Sequence, residues 1–374
     1  MSSYLRRVPE QGLRMHEPEF KGVSLLDQEY ADDQTRGKRE TPSEYYETVC
    51  WGCGLSVECA FVHPAFMCSW CGAISYRNKQ VKKQGRCTGC YHVLDRILVS
   101  IIVCIVILVI GGGVWAVFPI LCPELGFTFF FHTLLTGIFS FNTLFNYCVA
   151  AFVQAGPLPD IAWGSVDCVS EGSLQGYRFC EICHKPKPPK AHHCRACNAC
   201  VNEMDHHCPF IGNCVGAANH RPFVLFLLFA VLSNVYVFLM SLAAIVEIWK
   251  TQVDMPEVFG VASSSQVMVV IATYLQALLG SSISSSVRAL GLLYLVAVSL
   301  SVTIGVGLLL HHHMRQLYDG DTFIETLQRE SGVKRGLLPQ GEWKNFQRVF
   351  GHGNPLFWVL PRLVTGSNGK VHDK

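Results

Sequence analysis

Residues Cys180 to Cys214 read CEICHKPKPPKAHHCRACNACVNEMDHHCPFIGNC, and the reading of this stretch decides the reading of the whole chain. It holds seven of the chain's 18 cysteines, together with five histidines. Cys180 and Cys183 form one Cys-x2-Cys pair. His193, Cys194, Cys197 and Cys200 follow, then Asp205-His206-His207-Cys208 and Cys214. Thiolates and imidazoles at two-residue spacing suit tetrahedral zinc, because one tight turn brings both ligands onto one ion. Two closed sites take eight ligands. With His206 and Cys208 set aside, six cysteines with His193 and His207 supply eight, although spacing alone allows other allocations. Cys208 is then a cysteine beyond the metals' need, with a histidine and an aspartate just before it.

The pattern Cys-x2-Cys-x9-His-Cys-x2-Cys-x2-Cys-x4-Asp-His-His-Cys-x5-Cys runs on into Asn213-Cys214-Val215-Gly216 and Asn219. It resembles the cysteine-rich domain of the Asp-His-His-Cys (DHHC) family of protein S-acyltransferases, the palmitoyltransferases. The resemblance implies a first zinc on Cys180, Cys183, His193 and Cys200, and a second on Cys194, Cys197, His207 and Cys214. Phe210 stands where the family usually carries Trp, which implies an altered acyl or CoA contact with activity retained. Gln154-Ala155-Gly156 stands where the family has Asp-Pro-Gly, and only the glycine is kept, so no function is assigned to it. Thr322-Phe323-Ile324-Glu325 occupies the place of Thr-Thr-x-Glu. Asn345, Val349-Phe350-Gly351 and Trp358 resemble a C-terminal segment that sets a polar anchor and aromatics against the membrane domain. The resemblance covers about residues 97 to 361.

The bulk composition agrees with a membrane setting. Half of the 374 residues are hydrophobic and only 16% are charged, a balance that calls for several apolar spans with polar segments between them. Four stretches are long enough to cross about 30 Å of hydrocarbon: Ile97–Phe118, Leu125–Val153, Pro222–Trp249 and Val287 to about Leu310. Lys and Arg crowd the segments before span one, between spans two and three, and after span four. The positive-inside rule therefore predicts cytosolic termini and a cytosolic Cys-rich segment. Gln266–Leu279 is apolar but short and is expected to be interfacial or re-entrant. His311-His312-His313 is expected to cap span four at the interface. Cys104, Cys122 and Cys148 read as small apolar packing residues. The expected fold is an α-helical integral membrane protein with four transmembrane helices and a cytosolic two-zinc Cys-rich domain between helices 2 and 3.

A net charge of +2, with no basic run interleaved with aromatics, argues against nucleic acid. Cysteines clustered as Cys-x2-Cys pairs argue for zinc in a reducing compartment instead of disulfides. Glu10, Glu17 and Glu19, with no early apolar run, do not fit a cleavable signal peptide. Residues 1–47 are polar, mixed in charge and expected to be disordered. The segment 48–96 carries Cys50, Cys53, Cys68 and Cys71, which resemble a zinc ribbon, the alternative being reduced, uncoordinated cysteines. Cys87 and Cys90 either join that site or pair with His63 or His92. Plant members of the same family carry a similar Cys-rich extension. The remaining divisions are 97–153 for the first two spans, 154–221 for the catalytic zinc segment, 222–310 for the last two spans and 311–374 for a cytosolic tail.

The chemistry follows from the surplus thiol. An ordinary cysteine, with a pKa of about 8.5, is a weak nucleophile at neutral pH. His206 can take its proton, and Asp205 can hold that imidazole's tautomer. His207 must face the other way to reach zinc, and alternation along an extended strand allows this while sending His206 and Cys208 to one face. The zinc ions, closed by protein ligands, then serve as architecture. The resemblance implies a two-step reaction in which Cys208 takes an acyl group from palmitoyl-CoA or another long-chain acyl-CoA. It then passes the group to a cysteine of a membrane-associated substrate protein. Phe210, Phe223 and Phe226 are candidate acyl or CoA contacts, with lipid contact as the alternative for the last two. The rival reading is a catalytically inactive membrane-anchored zinc module that binds protein partners. A ubiquitin-ligase-type zinc domain fits the Cys194–Cys200 spacing less well. Among membranes the resemblance favours the Golgi, with plasma membrane and endosomal or vacuolar membrane as alternatives.

Overall fold

The computed structural model describes residues 45–60, 65–76, 88–252, 283–330 and 342–361. Gln266–Leu279, His63, Cys87 and the chain up to residue 44 lie outside these residues, as do the expectations placed on them. Cys90 lies in a described helix, and its side chain does not belong to the description.

Four long helices dominate: α1 (Thr88–Leu121), α2 (Phe127–Phe152), α3 (His220–Gln252) and α4 (Ile283–Asp319). Each contains a segment long and apolar enough to cross a membrane, and these are the four such helices among the described residues. The fold is that of an α-helical multi-pass membrane protein with a Cys/His-rich segment between its second and third spans. Leu108, Leu134 and Leu308 point outward, the distribution expected of helices whose solvent is lipid. Polar side chains sit instead between helices. Thr143 of α2 meets Ser233 of α3 at 3.0 Å, and His132 Nδ1 meets Tyr236 Oη at 3.0 Å. Such hydrogen bonds hold helices together where burial of apolar surface offers no gain over lipid.

The fourth helix outruns its apolar stretch. Nothing in HHHMRQLYD breaks a helix, so α4 continues past Leu310 until Gly320, which takes the left-handed conformation at φ 72°. Gly320 N donates to Leu317 O at 3.2 Å and Asp321 N to Gln316 O at 3.1 Å, a paired bond pattern that satisfies the last carbonyls. The three histidines therefore lie inside the helix and not at its end. Hydropathy marks where a span leaves lipid, not where its helix stops.

The described chain falls into two compact units. One draws on residues within 1–83, 158–191 and 325–338. It holds the hairpin β1 (Tyr45–Val49) with β2 (Ser56–Ala60), and a sheet of β3 (Ala65–Met67), β4 (Ile74–Tyr76), β5 (Arg178–Cys180) and β6 (Lys185–Lys187) in that order. β4 and β5 pair in parallel through Ile74 and Arg178, so the N-terminal Cys-rich segment and the first part of the 154–221 segment share one sheet. Its core is Cys50, Cys53, Cys68, Cys71, Ala73, Val169 and Leu174. β1 starts at Tyr45, inside the stretch to residue 47 expected to lack structure.

The other unit draws on residues within 84–157, 192–324 and 339–374. Here α3 lies along both α2 and α4, and α1 packs on α3 and α4. Two short antiparallel hairpins belong to it: β7 (His192–Cys194) with β8 (Ala199–Val201), and β9 (His206–Cys208) with β10 (Asn213–Val215). A 3-10 turn at Pro209–Ile211 joins the latter two strands. Its largest core collects Ala150, Cys208, Ile211, Val215, Phe223 and Leu227, which binds the second hairpin to the ends of α2 and α3. Two short helices follow α4: α5 (Phe323–Glu330) and α6 (Glu342–Phe350). Asn345 of α6 donates to Tyr318 O at 3.0 Å, and Phe350 stacks on Trp358 at 5.2 Å.

Candidate active site

Four of the described Cys-x2-Cys pairs, Cys50–Cys53, Cys68–Cys71, Cys180–Cys183 and Cys194–Cys197, end in the same backbone reversal. The residue after the second cysteine is left-handed at Gly54, Gly72, His184 and Asn198, with φ of 75°, 79°, 49° and 50°. This reversal turns both sulfurs to one side. Amides then point at sulfur, with Cys197 N donating to Cys194 Sγ at 3.4 Å and Cys183 N to Cys180 Sγ at 3.5 Å.

In the first unit, Cys50, Cys53, Cys68 and Cys71 are all buried, with their sulfurs within 4.8 Å of one another. The Cys50–Cys71 and Cys53–Cys68 sulfur pairs are each 3.7 Å apart. Four ligands about 2.3 Å from one zinc stand about 3.8 Å apart, so the spacing fits one tetrahedral ion. The hydrogen bond from Cys50 and the surrounding amides hold the Cys68 thiol at about 5, against the pull of burial, while burial pushes Cys71 to about 11. Four buried thiols sharing protons in this way are prepared for a cation.

In the second unit, hairpin pairing places His207 directly across from Cys214, and His193 across from Cys200. Cys194, Cys197, His207 and Cys214 offer ligand atoms within 4.8 Å of one another. His207 Nδ1 is 3.7, 3.3 and 3.6 Å from the sulfurs of Cys194, Cys197 and Cys214. Hydrogen bonds from Cys197 and Cys214 hold the Cys194 thiol far below its usual range, and the same network drives Cys214 far above it. The other nitrogen of His207, Nε2, meets the buried Asp95 carboxylate of α1 at 3.2 Å. A carboxylate behind a ligating imidazole fixes its tautomer and its aim. Of the first expected ligand set, Cys180 and Cys183 lie in the first unit. His193 and Cys200 lie in the second, 3.7 Å apart from Nδ1 to Sγ.

The opposite face of the same strand carries different chemistry. His206 Nδ1 donates to Asp205 Oδ2 at 2.7 Å, and the Phe323 amide donates to Asp205 Oδ1 at 2.7 Å. Asp205 is 1% exposed, so both carboxylate oxygens depend on these partners. Burial alone would raise its carboxyl, but the His206 hydrogen bond, His220 and the Phe323 amide hold it below the usual range. Burial likewise pulls His206 down, yet hydrogen bonds to Asp205 and to Cys208 outweigh it and raise the imidazole to about 9. Cys208 is 8% exposed within the apolar core. Asp205, His206 and Cys208 are thus a connected carboxylate, imidazole and thiol.

Aromatic rings confine that imidazole. Phe223 and Phe323 present edges to it at 5.7 and 6.3 Å, and His313 of α4 stacks on it at 5.6 Å and 26°. Among the three expected acyl contacts, Phe223 is buried against these imidazoles. Phe226 packs on Tyr147 at 5.1 Å, and Phe210 is 63% exposed. Tyr147 donates its hydroxyl to Phe210 O at 2.9 Å, which fixes the turn after Cys208.

Two asparagines fasten the hairpin. Asn213 Nδ2 donates to Ala150 O at 3.1 Å and Val153 O at 2.7 Å; Asn219 Nδ2 donates to Ala150 O at 3.0 Å and Cys214 O at 2.8 Å. The Ala150 and Val153 carbonyls lie at the end of α2, where helical donors run out, and the Cys214 carbonyl belongs to β10. Gly156, read on sequence as carrying no function, has a structural one: its carbonyl accepts from Asn202 N at 2.9 Å with φ 130°.

A family profile described as DHHC palmitoyltransferase matches residues 174–330, the stretch that contains both hairpins, the two long helices α3 and α4 and the Phe323 amide. The chain carries a DHHC palmitoyltransferase domain. Relatives extend the match beyond that domain. The chain is 26% identical to Probable protein S-acyltransferase 12 of Arabidopsis thaliana over 242 residues, 62% of this chain and 72% of that protein. It is 37% identical to Probable protein S-acyltransferase 16 of Arabidopsis thaliana over 99 residues, 25% of this chain and 35% of that one. Palmitoyltransferase ZDHHC15 of Rattus norvegicus is 28% identical over 198 residues, 52% of this chain and 49% of its own length. The chain thus spans about half the length or less of several curated relatives it matches. Asp95 and His313 were not singled out from sequence as site residues: one is an acid at the start of a span, the other the last of three histidines.

Proposed function

We propose that the protein is a protein S-acyltransferase that moves a long-chain acyl group from acyl-CoA to cysteine thiols of membrane-associated proteins. One observation carries the reading: the strand His206–Cys208 turns His207 toward three thiols and joins His206 to Asp205 and Cys208. In this reading Cys208 is the nucleophile, His206 its base and Asp205 the carboxylate that orients the base.

Cys208 passes its proton to His206, and its sulfur attacks the thioester carbonyl of the acyl-CoA. The carbon–sulfur bond to CoA breaks, and the departing CoA thiolate takes the proton back from His206. The thiol of the substrate protein then gives a proton to His206 and attacks the acyl-enzyme, and Cys208 leaves and recovers that proton. One thioester replaces another at each step, so the site's task is orientation and thiolate supply.

Zinc fits the donor sets, and its chemistry here is architectural: four protein ligands leave no open position. Cys194, Cys197, His207 and Cys214 would hold one ion, and Cys50, Cys53, Cys68 and Cys71 another. The family pattern assigns Cys180, Cys183, His193 and Cys200 to a third. The positive-inside pattern supports cytosolic termini, and resemblance favours a Golgi membrane. Phe210, exposed beside the nucleophile's turn, is the best-placed of the three aromatics for an acyl or CoA contact.

The test is acyl loading of purified protein with a clickable palmitoyl-CoA, comparing native with Cys208→Ser. Hydroxylamine-labile label that vanishes in the variant, with zinc content unchanged, is expected. Equal labelling of both proteins would favour the zinc module without catalysis.

A further inference from the structure

His311, His312 and His313 sit on consecutive positions of α4, about 100° apart around the helix. The first two are exposed, and His313 is 2% exposed. It shares its face with Gln316 and Leu317, also buried, at spacings of three and four residues. The run of three histidines therefore contains one residue of a different kind.

The buried ring packs against the site. It stacks on His206 with centroids 5.6 Å apart and planes at 26°, while Phe223 sets its edge against both rings, 5.7 Å from His206 and 5.1 Å from His313. His313 Nδ1 is 3.9 Å from Asp205 Oδ2. That is beyond hydrogen-bonding reach, and the oxygen already accepts from His206 at 2.7 Å. Among the described residues, Nδ1 of His313 has no hydrogen-bond partner. The contact is thus made by the face of the ring, not by its nitrogen. A buried imidazole with an unpartnered nitrogen is a poor choice for mere filling, where leucine or phenylalanine would carry no such cost.

We propose that His313 is a positioning residue for acyl transfer: its stacked ring holds the plane of His206, so that one nitrogen stays on Asp205 while the other reaches Cys208. Asp205 fixes His206 at one atom and leaves the ring free to turn about that hydrogen bond. Phe223 and Phe323 touch it edge-on. The His313 face closes the remaining rotation. The proposal rests on the acyl-transfer reading of Cys208 and His206, and its substrates are the same acyl-CoA and acceptor thiol.

The experiment uses the full chain, as wild type, His313→Ala and His313→Phe. It reads single-turnover loading from clickable palmitoyl-CoA, KM for that donor, zinc content, and alkylation of Cys208 by iodoacetamide followed on its own peptide. The alanine variant is expected to load about tenfold to a hundredfold more slowly, the cost of a misplaced catalytic group. Its KM and zinc content stay unchanged, and alkylation slows as well. The phenylalanine variant, which restores a flat face without the nitrogen, is expected to recover most of both rates. Wild-type rates in the alanine variant would overturn the proposal. So would a phenylalanine variant as slow as alanine, or loss of zinc in both, which would make His313 a residue of the fold. If wild type does not load at all while alkylation still slows in alanine and recovers in phenylalanine, the positioning role stands and the transferase reading fails.

Discussion

Replacing Asp205 with asparagine changes one atom of a side chain whose two oxygens are both committed. Oδ2 accepts from His206 at 2.7 Å and Oδ1 from the Phe323 amide at 2.7 Å. Asparagine has one acceptor oxygen, so its amide NH2 must face one of these donors. If the oxygen stays on the Phe323 amide, the His206 side meets N–H with N–H, and the imidazole loses both its tautomer lock and the adjacent charge. A charge-assisted hydrogen bond of this kind contributes about 1.5–3 kcal/mol. Expressed wholly in the transition state, that is roughly a ten- to 150-fold slower loading step at about 1.36 kcal/mol per decade. The assay is single-turnover acylation of Cys208 with zinc quantified in the same sample. Zinc should be unchanged, because Asp205 is not a member of any of the four-ligand Cys/His clusters among the described residues. Loading within about twofold of wild type, a difference below 0.5 kcal/mol, with zinc retained would refute the role given to this carboxylate.

Two further outcomes follow from contacts between the hairpins and the helices. Asp95→Ala removes the carboxylate 3.2 Å behind His207, and zinc should pass to a competing chelator roughly tenfold or more faster than from wild type. Asn219→Ala removes two donated bonds, to Ala150 and Cys214, and one accepted from Gly216. With this residue 0% exposed, thermal unfolding should report a loss of about 2–4 kcal/mol.

Spacing alone showed that the segment could hold metal and left a thiol over, but the second ligand set came from the family resemblance, since the spacing allowed other allocations. The structure gathers that same set within 4.8 Å. Two-residue steps make knuckles, and a strand's alternation separates His207 from His206 and Cys208. The four helices were legible in sequence, since hydrocarbon thickness sets a length that composition reveals. The contacts that aim the site were not. Asp95 meets His207 across 112 residues of sequence, and no local period announces such a pair. His313 hid among histidines that hydropathy assigned to an interface, because apolar patterning cannot say how far a helix continues once it leaves lipid. Thr322-Phe323 looked like a diluted motif, yet its contribution includes a backbone amide, which any residue but proline can supply.

The asparagine fastening of the second hairpin to the last carbonyls of α2 ties the strand of Cys208, the proposed nucleophile, to a membrane-length helix. A span that is too long or too short for the surrounding bilayer answers by tilting. Tilt of α2 would then carry Ala150 and Val153 with it, and through Asn213 and Asn219 the height and pitch of Cys208 above the hydrocarbon edge. On the proposed reading, lipid composition becomes a variable of the reaction itself: the same chain in a thin and a thick membrane would offer the Cys208 thiol to an acyl donor at different depths.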